Sequence, residues 1–552
     1  MNRITGRSAF LALLKDEGIT HLFGNPGTTE LPIMHALKDH PDLTYVLGLQ
    51  EAIVVAMADG FSRASGQLVA CNVHVAPGLG NAMGSLFNAK FTGTPMILTA
   101  GQQEQGHGLT EPLLYDSLVP IATPLVKWAV EVTRLEDLPR IVRRAAKVAM
   151  TPPTGPVFLS LPGDILNAEA GIDLTASTRV DTRSRPSDQM LEALAKRLLK
   201  AERPVIVVGD ETVKSDALEV AAKFAQTLGA PVYQQSVAYG AHFLSEHACY
   251  MGSLSRDQKQ VRAVLSNHDL LIALGTDPVR MSVWSEVEPL PDNMPIVHIG
   301  LIDWDMGKNY PAEMAVRADL AETLVVLSPL LAKLGASRLA AKAEAAIAEL
   351  ASRNWSAKRR DLAQRFTSRA KTAPIDPDWL SLQIAEALPQ DAVVVNEGLT
   401  SSRYLSDLIP YRDRYGFHAL ASGGIGWGVP AAVGVALAQA PRQVLCYSGD
   451  GSAMYTIQAL WTAAHLKLPI TYVIANNGGY RIIKQRLKSF HGNDQFIGMD
   501  FADPKIDFAA LARSMGMPAE HISDPDAVTS ALRRAFSTPG PKLLDVVVDG
   551  KV

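Results

Sequence analysis

The sequence predicts an α/β protein built from three doubly wound parallel-sheet domains, and three observations carry that expectation. Helix-length amphipathic stretches alternate with short apolar runs three times, in residues 1–165, 191–335 and 378–552. The stretches between lose that patterning. Residues 166–190 are rich in Ala, Thr, Ser, Asp and Arg, and Thr372-Ala373-Pro374-Ile375-Asp376-Pro377 leads into the last block. Finally, residues 444–447, Gly449-Asp450-Gly451-Ser452, 453–466 and 470–474 read as strand, glycine turn, helix and strand. A chain of 552 residues with 47% apolar content has room for several cores.

Each element follows from its local pattern. Residues 6–15 have helical spacing, and 21–24 form a short strand that ends in Asn25-Pro26-Gly27-Thr28-Thr29-Glu30, the entry to another helix. Residues 45–49 are a strand, followed by Gln50-Glu51 and a helix through 64. A third strand, 68–73, runs into His74-Val75-Ala76-Pro77-Gly78, and 95–99 and 157–161 complete the set. In the second block 204–208, 231–234, 270–274 and 295–299 are the strands, and 336–369 is helical. In the third, 392–395 ends in Asn396-Glu397-Gly398-Leu399-Thr400, and Ser422-Gly423-Gly424-Ile425-Gly426-Trp427-Gly428 is a flexible turn into a helix.

Composition narrows the function. A net charge of −4 offers no footprint for nucleic acid or an anionic membrane. Cys71, Cys249 and Cys446 are scattered without metal spacing, as expected of packed thiols in a reducing compartment. Met1 to Thr5 lead into the first helix without a signal-type apolar core, and no run approaches the length of a membrane span. A cytoplasmic protein is the expectation.

Chemistry concentrates at strand ends. Asp450 and Asn477, the latter in Ala475-Asn476-Asn477-Gly478-Gly479, fall on one carboxyl edge of the third sheet, where α/β folds bind ligands. A carboxylate, an amide oxygen, a backbone carbonyl and diphosphate oxygens make an all-oxygen shell suited to Mg²⁺. Glu51 opens a helix after a strand, where an acid also complements the helix dipole. Thr28 and His74 end strands of the first domain and so can line one cleft with Glu51. His107, in Glu104-Gln105-Gly106-His107-Gly108, is a further candidate on a polar loop. Lys484 and Arg486 follow the metal loop, as candidates for an anionic group or as solvated helix residues.

The glycine motif from Gly449 through Asn477 resembles the metal–diphosphate motif of thiamine-diphosphate enzymes, and the resemblance extends over essentially the whole chain. It places this sequence in the decarboxylase and acetolactate-synthase superfamily, most similar to the benzoylformate decarboxylases. The three blocks then become pyrimidine-binding, central and diphosphate-binding domains. The resemblance implies Asp450, Asn477 and the Gly479 carbonyl as metal ligands. It implies Thr400, Gly423, Ile425, Gly449, Gly451, Ser452, Asn477 and Tyr480 as cofactor-binding, with Gly423 offering its carbonyl to the 4′-amino group and Ile425 wedged beneath the cofactor. Glu51 matches the glutamate that bonds the pyrimidine N1′ and drives the imino tautomer, which frees the C2 carbanion. Thr28 stands where those decarboxylases have a substrate-binding serine, and His74 matches their catalytic histidine.

The implied reaction is non-oxidative decarboxylation of a 2-oxo acid to an aldehyde through a C2 ylide and an enamine. One departure keeps a carboligase or carbon–carbon lyase of the acetolactate-synthase or benzaldehyde-lyase kind open. Benzoylformate decarboxylases carry a second histidine in the central domain, and residues 277–284 have none. In the central domain 205–210 resembles a segment that faces FAD or a nucleotide in some relatives, but no Gly-x-Gly-x-x-Gly follows it. Because the family's glutamate reaches a cofactor held by a partner subunit, the resemblance implies a homodimer as the minimal active unit and a homotetramer as the assembly.

Overall fold

The computed structural model describes residues 3–501 and 503–552, so Met1 and Asn2 of the N-terminal stretch lie outside the described residues. Three parallel sheets organise the chain, each flanked by helices in α/β fashion. The first orders its strands Thr44–Leu47, His21–Gly24, Val69–Val73, Met96–Gln102, Val157–Pro162 and Ala129–Glu131, every pair parallel. The second orders Tyr250–Ser253, Val232–Gln234, Pro204–Val208, Leu270–Leu274, Ile296–Gly300 and Met314–Arg317, again all parallel. In the third, Val393–Glu397, Val444–Gly449, Ile470–Asn476, Lys542–Val547 and Ala519–Ile522 follow one another in parallel.

The central strands are continuous apolar runs because both of their faces are covered, as parallel sheets require. The chain divides into two compact units. One comprises residues 1–180, 370–403 and 420–552 and holds the first and third sheets. The other comprises 181–369 and 404–419 and is built on the second.

Within the first unit the two sheets are joined through the helices Glu51–Ser65 and Gly428–Gln439. Their backbones approach so closely that a Cβ on Gly60 would lie 2.3 Å from the Ala431 carbonyl oxygen, and one on Gly434 would lie 1.9 Å from that of Met57. Both helices are therefore buried almost all round, which is why they read as apolar rather than amphipathic. Glu51–Ser65 starts where the Gln50 side chain accepts the Ala52 and Ile53 N–H groups, and it ends at Gly66 in the left-handed conformation.

Two expected helices are broken. The stretch 453–466 is not one helix but the end of Asp450–Met454 followed by Ala459–His465. Thr456, in the gap, donates its hydroxyl to the Gly426 carbonyl at 2.6 Å, a tertiary bond that outweighs helix propensity. The stretch 336–369 does start at a break, since Ala336 leaves the helical conformation at φ 44° and interrupts Leu320–Leu350, but it is broken again before Trp355–Thr367, which the Asn354 side chain restarts on the Ala357 N–H. By length and composition alone the helical stretch Leu320–Thr367 is apolar enough to cross a membrane, with a mean hydropathy of 1.5 in one 18-residue window. Leu320, Leu324, Leu327 and Leu331 spend that apolarity in the core of the central sheet.

Candidate active site

The first sheet reverses its strand order at His21–Gly24, and ligands of α/β sheets bind outside the carboxyl ends of strands at such a switch point. The turn holding Thr28 and the residue His74 both follow strands that meet there. His74 Nδ1 lies 2.7 Å from Glu30 Oε2 and 3.1 Å from Thr29 Oγ1. Glu30 is fully buried and accepts the Gly27 N–H at 2.9 Å, the Gly101 N–H at 2.8 Å and the Thr29 hydroxyl at 2.8 Å. The imidazole packs directly on the turn, since a Cβ on Gly27 would sit 2.2 Å from its Nδ1. Val75, next to His74, has φ 41°, a conformation that β-branched residues adopt only where surrounding contacts force it. The imidazole is thus oriented by a buried carboxylate that leaves Nε2 as its outward nitrogen.

Glu51 is buried at its helix start and accepts Asn25 Nδ2 at 3.2 Å on Oε1 and Asn81 Nδ2 at 3.0 Å on Oε2. Its carboxyl group lies against the bare backbone at Gly78, where a Cβ would approach Oε1 to 3.1 Å. The two amides orient the carboxyl group and leave lone pairs for a ligand. Thr28 and His107 line a cleft of about 720 Å³ with Arg7, His35 and Gln103. His74 meets that cleft through Thr29, which lines it and lies 3.1 Å from His74 Nδ1, while Glu51 is not among the lining residues.

In the third sheet Asp450 is buried at the end of Val444–Gly449. Its Oδ1 accepts the Gly451 N–H at 2.8 Å, and its Oδ2 accepts those of Gly478 and Gly479 at 2.7 and 3.2 Å. Burial pushes the carboxyl up from its ordinary value, opposed only by these backbone bonds and one from Asn477. Asn477 is half-buried at the end of Ile470–Asn476, and the Gly479 carbonyl accepts the Arg481 N–H at 3.0 Å with one lone pair remaining. One carboxylate, one amide and one carbonyl, with no cationic side chain among the causes acting on Asp450, fit a small hard cation.

Among the described residues no cluster of three His, Cys, Asp or Glu competes as a metal site. Gly449 faces open space where a Cβ would stand, Ser452 is buried, and Tyr480 packs its ring on Gly451 and edge-on to Phe501. The open space at Gly449 borders this donor set. Thr400 is half-buried in the turn Leu399–Ser402, which Leu399 enters with φ 46°.

The loop before Gly428–Gln439 is held on several sides. Asn88 Nδ2 donates to the Gly424 carbonyl at 2.7 Å, Thr456 holds the Gly426 carbonyl, and Trp427 Nε1 donates to the buried Asp59 at 2.6 Å. Glu397, fully buried, accepts the Gly426 N–H at 2.8 Å and the Gly428 N–H at 2.6 Å. Burial pushes its carboxyl up to about 7 against the pull of those N–H bonds. Gly423 meets open space, and Ile425 is 37% exposed between these anchors.

Two candidates are placed away from a ligand role. Lys484 is buried and paired with Asp500, so it is not free for a substrate anion. Arg486 is exposed, with its guanidinium over the Phe490 ring at 5.5 Å. In the separate central unit Asp277 is paired with Arg280 and Lys308, while Trp284 is exposed. Sequence reasoning assigned no role to Glu30, Asn25, Asn81, Asn88 or Glu397. Only Glu30 carried a local sign, an acid three residues after Gly27 that closes a capping-box turn.

One sheet edge carries a buried acid and an oriented imidazole, and another carries a carboxylate, an amide and a carbonyl that fit a small hard cation. The chain belongs to the thiamine pyrophosphate enzyme family. Residues 4–113 match its N-terminal TPP binding domain, 191–327 its central domain and 400–546 its C-terminal TPP binding domain. It is 33% identical to the benzoylformate decarboxylase of Pseudomonas aeruginosa over 98% of both chains. It is 25% identical to the acetolactate synthase isozyme 1 large subunit of Escherichia coli K12, over 100% of this chain and 95% of that one. The solved 4-hydroxybenzoylformate decarboxylase of Rhodococcus jostii RHA1, described as thiamine diphosphate-dependent, superposes with a TM-score of 0.87 at 30% identity, covering 99% of each chain.

Breaking the dyad tests the first-domain site. Glu30→Gln, His74→Ala and the double variant are each expected to lower kcat by roughly 100-fold, because groups acting as one unit are non-additive. Additive losses in that cycle would separate Glu30 from His74.

Proposed function

We propose that this chain is a thiamine-diphosphate and Mg²⁺-dependent lyase that decarboxylates a 2-oxo acid of the benzoylformate kind. The balanced reaction takes R–CO–COO⁻ and one proton to R–CHO and CO₂. The observation that carries the reading is the His74–Glu30 pair, a positioned proton donor at the switch point of the first sheet, in a chain that also holds the Asp450 donor set. When bound, the cofactor supplies an electron sink for the bond pair released with CO₂.

The protein's own residues do the rest. Asp450, Asn477 and the Gly479 carbonyl hold the cation, with Gly449, Gly451, Ser452, Thr400 and Tyr480 around the diphosphate. Glu51 would hold the proton that the pyrimidine N1′ shares, with its carboxyl group oriented by the amides of Asn25 and Asn81. His74 Nε2 delivers a proton to the former keto carbon, with Glu30 balancing the imidazolium charge. Thr28 offers a hydroxyl to the substrate carboxylate, and His107 borders the entrance.

A second reading is supported by the central domain. Residues 277–284 hold no imidazole where benzoylformate decarboxylases carry their second histidine, and that departure supports capture of a second carbonyl compound, as in a carboligase. We take the protein to be cytoplasmic, a reading that three buried, unpaired cysteines support. Both functional readings take a homodimer as the smallest active form. Leu109 and Leu113, 97% and 86% exposed near the cleft, are an apolar pair that a second copy would cover.

The deciding experiment supplies aromatic and aliphatic 2-oxo acids to protein loaded with thiamine diphosphate and Mg²⁺, with CO₂ and products followed together by NMR. The expected result is CO₂ with free aldehyde from the aromatic acids. A coupled hydroxyketone as the main product would transfer the assignment to carboligase, and no turnover of any acid would remove the 2-oxo acid reading.

A further inference from the structure

The anchoring of the 423–428 loop has a feature that packing alone does not require. Glu397 ends the strand Val393–Glu397 and is completely enclosed, yet it is a carboxylate rather than a neutral acceptor. Both oxygens are used on one short stretch of backbone, Oε1 on the Gly426 N–H and Oε2 on the Gly428 N–H, and the Trp427 N–H adds to the same field. Only backbone N–H groups offset its charge, and the titratable group set against it is the Cys446 thiol, which is itself buried. A buried charge without a cation is costly, so a side chain kept in that state is expected to specify a geometry.

The geometry it specifies is local. Gly428 has no room for a side chain, since a Cβ would stand 2.9 Å from that of Glu397, and Gly426 has φ 93° with a Cβ position 2.5 Å from that of Tyr455. With Thr456 on the Gly426 carbonyl and Asn88 on the Gly424 carbonyl, the loop is fixed on both sides of Ile425. What remains unanchored is the Ile425 side chain and the Gly423 backbone, whose carbonyl accepts only the Ile425 N–H at 3.0 Å.

We propose that Glu397 is the positioning residue of the cofactor hinge: its carboxylate grips the Gly426 and Gly428 amides and so presents the Ile425 side chain and the Gly423 carbonyl to the bent cofactor. This rests on the thiamine-diphosphate reading. Glu397 touches no cofactor atom in this assignment and acts through the loop. Asp450 makes its own bonds to Gly451, Gly478 and Gly479 without Glu397, so loss of Glu397 is expected to separate activation of the cofactor from its attachment.

The test is Glu397→Gln, which keeps the volume but sets an amide N–H₂ against a backbone N–H. Two quantities are read in wild type and variant. One is thiamine diphosphate affinity in saturating Mg²⁺, and the other is the hydrogen–deuterium exchange rate at C2 of the bound cofactor by acid quench and NMR. The expected result is an affinity within about threefold of wild type and C2 exchange slowed roughly 100-fold, the scale of an ångström-sized misplacement.

A variant with a lower Tm but wild-type C2 exchange overturns the proposal and leaves Glu397 a packing residue. A wild type that binds no thiamine diphosphate overturns the cofactor reading and this assignment with it. If Glu397→Gln does not fold, Thr456→Val removes the bond on the other face of Gly426 and must slow exchange in the same way; unchanged exchange there counts against the anchored loop.

Discussion

Glu51→Gln is expected to fold, to bind thiamine diphosphate and to turn over about 10³-fold more slowly than wild type, within the range that general acid–base groups contribute. The geometry explains why the loss is catalytic rather than structural. Gln has the shape of Glu, and the helix start is capped independently by Gln50. Of the two bonds made to the carboxylate, one survives on the remaining oxygen, and the other is recovered if Asn25 or Asn81 turns its amide. What does not survive is a proton that can move to and from the pyrimidine N1′. The loss should therefore appear in kcat and in C2 exchange of the bound cofactor, with its affinity changed little. A Glu51→Gln enzyme with near-normal kcat would remove Glu51 from the mechanism.

The contrast between Glu51 and Glu30 shows what was legible in the sequence and why. Glu51 lies in a segment, Leu47 to Ala52, whose strand-to-helix punctuation and family resemblance are both local, so it could be read directly. Glu30 has the same local dress, an acid opening a helix. Its function depends on His74, forty-four positions later, and on two backbone amides, one of them at Gly101. Periodicity cannot report such a contact.

The same holds for Asn81 and Asn88. They sit seven residues apart on the helix Val75–Thr92, so that one face serves Glu51 at one end and the Gly424 carbonyl at the other. Most central strands were visible because burial on both faces leaves an unbroken apolar run, but Lys542–Val547, internal to the third sheet, was not, because Lys542 and Asp545 interrupt its run. Edge strands such as Ala129–Glu131, Met314–Arg317 and Ala519–Ile522 were not, because their exposed residues carry no such run. The break at Thr456 was hidden for the reason Glu30 was, since its partner, Gly426, is brought there by the fold.

Asp450 offers the second large effect. Asp450→Ala is expected to weaken thiamine diphosphate binding in saturating Mg²⁺ by roughly 100-fold or more, since it removes the only charged member of the donor set. The ambiguity is that the same carboxylate ties Gly451, Gly478 and Gly479 together through their N–H groups, so its loss also loosens the loop that carries the other two ligands. Asp450→Asn separates the two causes. It keeps one oxygen for the Gly478 amide and the volume of the side chain, but not the charge.

If the charge is what matters, Asn must be nearly as defective as Ala. The stabilisation that cofactor and Mg²⁺ confer on the wild type, about 2.7 kcal/mol at a hundredfold excess over Kd, must then vanish in both variants. If loop tethering dominates, Asn must retain most of the affinity, and stripping the metal from the wild type with a chelator must leave binding intact. Cofactor affinity unchanged in both variants would overturn the metal assignment, whereas a defect in both that chelation reproduces in the wild type ties Asp450 to the cation itself.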